Sequence, residues 1–102
     1  MHYLLYFGTQ TPSGRVTASE WQEFLSTTIT PRFAQGFSTW QAQGQWQDTQ
    51  GRSVQEASQV LSLLAPQQAE VEQALQAIIA RYKVQFKQDS VLLVHSAACV
   101  AF

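Results

Sequence analysis

The sequence predicts an α+β fold of the ferredoxin-like type, in which two helices cover one face of a four-stranded antiparallel sheet. Two segments with helical periodicity, 17–29 and 66–82, flank a pair of strand-like segments, 37–47 and 52–64. With one further strand near each end, the order becomes strand, helix, strand, strand, helix, strand. Two split β-α-β units interlock in this order with right-handed crossovers. A length of 102 residues accommodates one such domain, residues 1–102.

The first strand is predicted at His2–Phe7, where apolar side chains occur on both faces and Gly8 ends the run. Apolar groups on both faces are typical of a central strand. The next stretch, Thr9–Arg15, contains Pro12 and Gly14 and is expected to be a turn-rich loop.

The first helix is predicted to begin at Thr17, which forms a capping box with Glu20. Val16 before the cap and Trp21 after it fit a hydrophobic staple. Pro31 is expected to end the helix. One apolar stripe follows at helical spacing: Trp21, Phe24, Leu25, Thr28 and Ile29.

Residues 37–47 alternate with a period of two, which predicts a strand with one packed and one polar face. The face expected to pack on the core carries Trp40, Ala42, Gly44 and Trp46. The polar face carries Gln41, Gln43, Gln45 and Gln47. Asp48–Gly51 supplies a hairpin turn, and the return strand lies within Arg52–Leu64.

The second helix is predicted with Pro66 in its first turn. The last strand is expected at Val91–His95, and a second apolar run at Cys99–Phe102 could extend it. The apolar stripe of the second helix is formed by Val71, Leu75, Ile78, Ile79 and Tyr82.

The composition excludes several classes of function. A net charge of −1 and a pI near 6.0 argue against nucleic-acid binding. Cys99 is the only cysteine, so no intrachain disulfide or CxxC motif can form, and no metal or cofactor motif is present. No apolar run reaches the ~18 residues needed to span a bilayer, and the N-terminus lacks a leader pattern, so a cytoplasmic location is expected.

The sheet face away from the helices is expected to pair with a second subunit. Only 13% of the residues are charged, and sixteen glutamines take their place. Amides can pair across an interface, whereas burying an unpaired charge is costly. A homodimer through this open face, burying the glutamine row of residues 37–47, is therefore predicted, with docking on another protein as the alternative.

Several short motifs occur together at a fairly specific spacing: Tyr6-Phe7-Gly8, Glu20-Trp21-x-x-Phe24, Thr30-Pro31-Arg32-Phe33, Gly36, Gly44-Gln45-Trp46, Gly51, Glu56 and Ser58. From Tyr3 to Phe102 the chain resembles a small bacterial family catalogued as a domain of unknown function (number 3574). Ala34 departs from the family pattern, which has proline there. The resemblance implies a fold and a set of recurring residues but no activity. Members often look exported or lipid-anchored.

Arg32 is the most informative charged residue, because it follows Pro31 between apolar neighbours. Its guanidinium could clamp a carboxylate or phosphate through two hydrogen bonds. The alternative, which we favour at this point, is a partly buried ion pair with Glu56.

Trp40 and Trp46 share a strand face with small residues between them and could line a flat slot for a planar ligand. Alternatively, the small residues allow a helix to pack closely on the sheet, which is the favoured interpretation. Tyr6 could act as a general acid or an orienting donor, although a core tyrosine is the commoner role.

Two functions remain open. The favoured one is a small non-catalytic module that acts through homodimerisation or docking. The second is a small-ligand-binding protein or cofactor-free enzyme of the dimeric α+β barrel type. Its pocket would lie between sheet and helices and be lined by Tyr6, Arg32, Trp40, Trp46 and Glu56, with Gln45 beside them.

Overall fold

The chain forms a four-stranded antiparallel sheet with two helices against one of its faces. The computed structural model describes residues 1–102. Its strands are β1 (His2–Gly8), β2 (Gln10–Thr11), β3 (Gly14–Arg15), β4 (Ser38–Gln47), β5 (Ser53–Leu64) and β6 (Leu92–Ser96). The helices are α1 (Ala18–Phe24), which continues as a π-helical turn (Leu25–Ile29), and α2 (Ala69–Gln85). The α+β class and the antiparallel sheet predicted from the sequence are confirmed.

The strand order in the sheet is β4-β5-β1-β6, and every neighbouring pair is antiparallel. β1 is central, as its apolar side chains on both faces predict. Tyr6 lies opposite Val60 of β5 on one side and Leu92 of β6 on the other. Val60 in turn lies opposite Trp40 of β4. These four side chains therefore share one face of the sheet.

The first helix begins with the predicted capping box. The Thr17 hydroxyl accepts a hydrogen bond from the Glu20 N–H (3.1 Å), and the Glu20 carboxylate accepts one from the Thr17 N–H (2.9 Å). Two N–H groups that the first turn leaves without helical partners are thereby satisfied.

After Phe24 the helix widens into the π-helical turn, where the Thr30 N–H donates to the Leu25 carbonyl at 2.8 Å. The apolar stripe remains buried through this turn at Leu25, Thr28 and Ile29. Because a π-turn inserts an extra residue into one helical turn, it changes the direction in which the following residues leave the helix. The sequence pattern predicted a regular helix here and did not reveal this turn.

The core lies between the helices and the face of β1 that carries Tyr3, Leu5 and Phe7. Its densest part is an aromatic cluster of Phe7, Trp21, Phe24, Tyr82 and Phe86. Phe7 and Tyr82 pack edge to face with ring centroids 4.7 Å apart, and Tyr82 and Phe86 lie 4.8 Å apart. Such contacts stabilise the fold beyond the area they bury, by roughly 0.5–1.5 kcal/mol a pair.

The prediction that Trp40 and Trp46 face the core is wrong. Leu61 and Leu63 of β5 point into the core, so their neighbour Val60 and its partner Trp40 point to the open face. Both tryptophans are 47% exposed. The glutamines that alternate with them lie on the helix side of β4, an edge strand, and are exposed there. No helix packs on Ala42 and Gly44, so that interpretation of the small residues is also wrong.

Smaller differences occur at the ends of elements. Pro66 precedes α2, which begins at Ala69 with Gln68 as an N-cap that makes no side-chain cap bond. The expected loop Thr9–Arg15 contains the two-residue strands β2 and β3. Residues 97–102 form no strand. Neither helix of the chain combines the length and the apolar character that a bilayer crossing requires.

Candidate functional site

A groove of about 540 Å³ crosses the open face of the sheet, where β1, β4 and β5 meet the loop before β6. Three strands position its side chains. Tyr6 comes from β1, Trp46 from β4, and Glu56 and Ser58 from β5. The remaining wall is formed by Gly8, Gly44, Gln45, the loop residues Gln88, Asp89 and Ser90, and Leu92 of β6. Several residues of the sequence motifs thus come together at one place.

Glu56 is a half-buried carboxylate in this groove. Its Oε2 accepts a hydrogen bond from the Gln10 N–H at 2.6 Å. Its Oε1 accepts no hydrogen bond from the chain, and no cationic group lies within 4.0 Å of either oxygen. One oxygen therefore fixes the orientation of the carboxylate, and the other is free to accept a hydrogen bond from a ligand.

Gly8 allows this carboxylate to approach β1 closely. A Cβ added at Gly8 would lie 3.1 Å from Glu56 Oε2 and 3.1 Å from Gln88 Oε1. Gln88 Nε2 donates to the Gln10 carbonyl, so the side chain of Gln88 also ties the loop before β6 to the segment after β1. The missing side chain at Gly8 therefore makes room for two polar groups of the groove.

On the helix side of the same strand end, the Tyr82 hydroxyl donates to the Gly8 carbonyl at 2.6 Å. Burial raises the pKa of Tyr82 far above its usual value, and the negative charges of Glu56 and Glu20 raise it further. Tyr82 thus remains a neutral donor that anchors the backbone beneath the groove.

The aromatic walls of the groove differ in exposure. Trp46 is half exposed, whereas Tyr6 is partly covered by its neighbours on the sheet. A tryptophan face beside a carboxylate can hold a flat ring and a positive or hydroxyl-bearing group at the same time. Gln45 borders the groove, but its Oε1 accepts a hydrogen bond from Gln55 Nε2 at 3.1 Å.

Two of the predicted site residues lie outside the groove. Trp40 is on the same face but does not line it. Arg32 lies in a different cavity, between the π-helical turn and α2. The expected ion pair between Arg32 and Glu56 is absent, and the single ion pair of the structure joins Arg52 to Asp48. The predicted pocket between sheet and helices is therefore wrong, since the groove lies on the sheet face that the helices leave open.

Sequence reasoning missed Gly8 and Gln88 as site residues. Gly8 had a usable signal, because it ends a strand within a motif that also holds Tyr6. Gln88 had none, since one glutamine among sixteen is not distinctive. No group of three or more His, Cys, Asp or Glu side chains lies together in a way that could hold a metal ion.

The fold and the groove define a small α+β domain with a polar-aromatic depression on an uncovered sheet. The chain belongs to the family described as protein of unknown function (DUF3574), whose model matches residues 2–102. A search of curated proteins finds no match.

Two solved structures of a phage SAM lyase have a similar fold. One, in complex with S-methyl-5'-thioadenosine, aligns with a TM-score of 0.67 and 18% identity, over 90% of this chain and 76% of that chain. The other, in the apo state, aligns with a TM-score of 0.65 and 19% identity, over 90% and 75% of the two chains. At this level of identity the similarity concerns the fold.

Proposed function

We propose that this protein binds a small organic ligand in the open-face groove, and that the ligand carries a flat ring together with hydroxyl groups or a positive charge. The observation that carries the proposal is Glu56. One oxygen of its carboxylate is held by the Gln10 N–H, and the other has no hydrogen-bond partner in the chain. A ligand in the groove that Trp46 also lines can donate a hydrogen bond to this second oxygen.

The chemistry of the groove supports an adenosyl-type ligand. The indole of Trp46 offers a flat surface for a base, and Glu56 can accept from ribose hydroxyls or face a sulfonium charge. The similarly folded phage SAM lyase has been solved with S-methyl-5'-thioadenosine, a ligand of this class. The strand order β4-β5-β1-β6 also supports the ferredoxin-like arrangement expected from two interlocked β-α-β units.

Isothermal titration calorimetry with SAM and with S-methyl-5'-thioadenosine tests the proposal. Glu56→Gln keeps the shape of the side chain and removes its charge, so we expect binding to weaken at least tenfold. Glu70→Gln, an exposed change on α2, is the matched control and should bind as the wild type does. If neither compound binds saturably, or if Glu56→Gln binds equally well, the proposal is wrong. Mass spectrometry of the same samples tests for turnover.

A second candidate function, self-association through the open face, is favoured by a different observation. Large apolar side chains are exposed there, with Trp40 47%, Leu92 58% and Val94 41% accessible. Glu56 is the only charged residue that the four strands place on this face. Interface centres are depleted of charge and enriched in aromatic residues. The predicted glutamine-row interface is replaced in this proposal by the tryptophan face.

A further inference from the structure

We propose that a second groove, between the π-helical turn and the C-terminal half of α2, binds a phosphate group. The cavity has a volume of about 540 Å³, and the seven residues that line it include Thr27, Thr28, Arg32 and Arg81. It shares no residue with the open-face groove, so the inference is independent of the function proposed above.

The charge of this groove is the first argument. Arg32 and Arg81 both line it, and no acidic residue does. Neither guanidinium has a carboxylate within 4.0 Å. The chain as a whole carries a net charge of −1, so two arginines at one place are not the result of a generally basic surface. Both arginines are exposed to solvent, and an anion that lies in the groove is attracted by both positive charges.

The orientation of Arg32 is the second argument. Its Nη1 donates to the Thr28 carbonyl at 2.7 Å, and Thr28 is buried at the end of the helix. One N–H of the guanidinium therefore fixes the side chain, while its remaining N–H groups make no hydrogen bond within the chain. A guanidinium that is already oriented loses less entropy when its planar fork binds two oxygens of an anion.

The local fold supplies the third argument. The π-helical turn immediately precedes Pro31 and Arg32 and contributes both threonines of the groove. Single π-turns occur frequently at functional sites, because they redirect the residues that follow. Ala77 and Ala80 of α2 also line the groove. Their small side chains leave room for a ligand beside the two arginines.

A simpler role for both arginines, which are exposed, is that of solvated surface charges. That role requires no ligand, and it predicts that phosphate has no more effect than chloride at the same ionic strength. Binding of a phosphate group instead predicts a saturable response that depends on both arginines.

The experiment is an NMR titration of the full chain with sodium phosphate at pH 7, with sodium chloride added to keep the ionic strength constant. We expect saturable shifts of the Arg32 and Arg81 side-chain N–H signals. Arg32→Gln and Arg81→Gln should each weaken binding at least tenfold, and acetate, which offers one carboxylate, should bind at least tenfold more weakly than phosphate.

Arg52→Gln is the matched control, since Arg52 is an exposed arginine in another part of the molecule, and Glu56→Gln tests independence from the open-face groove. Both should bind phosphate as the wild type does. Non-saturable shifts, or an unchanged affinity in Arg81→Gln, would overturn the proposal. If loss of the bond to Thr28 prevents Arg32→Gln from folding, Arg81→Gln decides the question alone, because Arg81 is exposed and its side chain makes no hydrogen bond in the structure.

Discussion

At the scale of single residues, the position of the Glu56 carboxylate depends on Gly8. Replacing Gly8 by alanine places a methyl group 3.1 Å from Glu56 Oε2, so the end of the Glu56 side chain must shift by a few tenths of an ångström. Because both neighbours of the new methyl are the ends of flexible side chains, we expect a small change in the free energy of unfolding, about 0.5 kcal/mol in either direction. The loss in binding free energy should be larger than this change in stability, because the oriented carboxylate is displaced.

Calorimetric titration of Gly8→Ala beside Gly44→Ala checks this expectation. A Cβ at Gly44 meets only the Glu56 backbone carbonyl, at an ordinary 3.5 Å. Equal losses of affinity in the two variants would mean that the groove is sensitive to any added methyl and that the carboxylate is not the cause.

Tyr82 is expected to make the stability of the protein fall at alkaline pH. Burial and the nearby charge of Glu56 raise its pKa in the folded state, whereas in the unfolded chain it titrates near its ordinary value of about 10. A raised pKa contributes stability that is complete below pH 10. Above that pH the unfolded chain loses the proton first, so the free energy of unfolding falls, by up to about 1.4 kcal/mol per pH unit for one such group.

Urea unfolding between pH 8 and 11 measures this fall. Tyr82→Phe should be less stable at pH 8, because it lacks the hydrogen bond to Gly8, but its stability should decline less steeply above pH 10. Part of the decline should remain, since burial and the hydrogen bond to Glu72 also raise the pKa of Tyr3. Identical slopes in the two proteins would contradict the assignment to Tyr82.

At the scale of elements, the first helix depends on its N-terminal cap. Thr17→Ala removes one acceptor of the capping box and should lower the free energy of unfolding by about 1 kcal/mol. The urea midpoint should shift while the slope of the transition stays constant, because the extent of burial is unchanged. Thr27→Ala is a control on the same helical segment, since its hydroxyl contacts the Glu23 carbonyl and the Thr28 hydroxyl and takes no part in the capping box. A larger loss in the control would contradict the importance of the cap.

The capping box could be predicted because it is decided within four residues, and the same holds for the turn at Asp48, whose carboxylate accepts from the Gln50 and Arg52 N–H groups. The orientation of β4 could not. Alternation with a period of two separates two faces without indicating which one the helices cover, and that choice is made by Leu61 and Leu63 of the neighbouring strand.

The sequence predicted several residues of the candidate site but not the place of the site in the fold. Tyr6, Trp46 and Glu56 do come together, because the register of three strands aligns them. Arg32 was assigned to the same set although it follows a helix on the other side of the sheet. A pairing between Arg32 and Glu56 depends on distant parts of the chain, which local patterns do not constrain.

At the scale of the whole molecule, the area of the open face bears on the self-association proposed above. The four strands cover roughly 540 Å² in projection, at a rise of about 3.3 Å per residue and a strand spacing of about 4.8 Å. Two such faces approach the area of about 1,200 Å² at the lower end of stable interfaces, since protruding side chains add to the projection. The face is therefore close to the smallest size that a stable dimer requires.

Light scattering of two lysine variants tests self-association and its location together. Trp40→Lys places like charges near one another in an open-face dimer and should reduce the mass to that of a monomer. Gln43→Lys lies on the opposite side of the same strand and should keep the wild-type mass. A monomeric wild type excludes the dimer, and dissociation by Gln43→Lys alone would restore the glutamine row as the interface.

The central position of β1 has a consequence for how the protein is made. β1 is synthesised before its two neighbours, yet His2 pairs with Leu64 of β5 and with Ser96 of β6. During translation β1 therefore has no partner until β5 (Ser53–Leu64) has left the ribosome, and its second partner, β6, follows only at Leu92–Ser96. Contacts between such distant residues slow folding, because a long loop must close before they form. We therefore expect the four-stranded sheet to be completed only once β6 has left the ribosome, and the unpaired edge of β1 to be prone to aggregation until then.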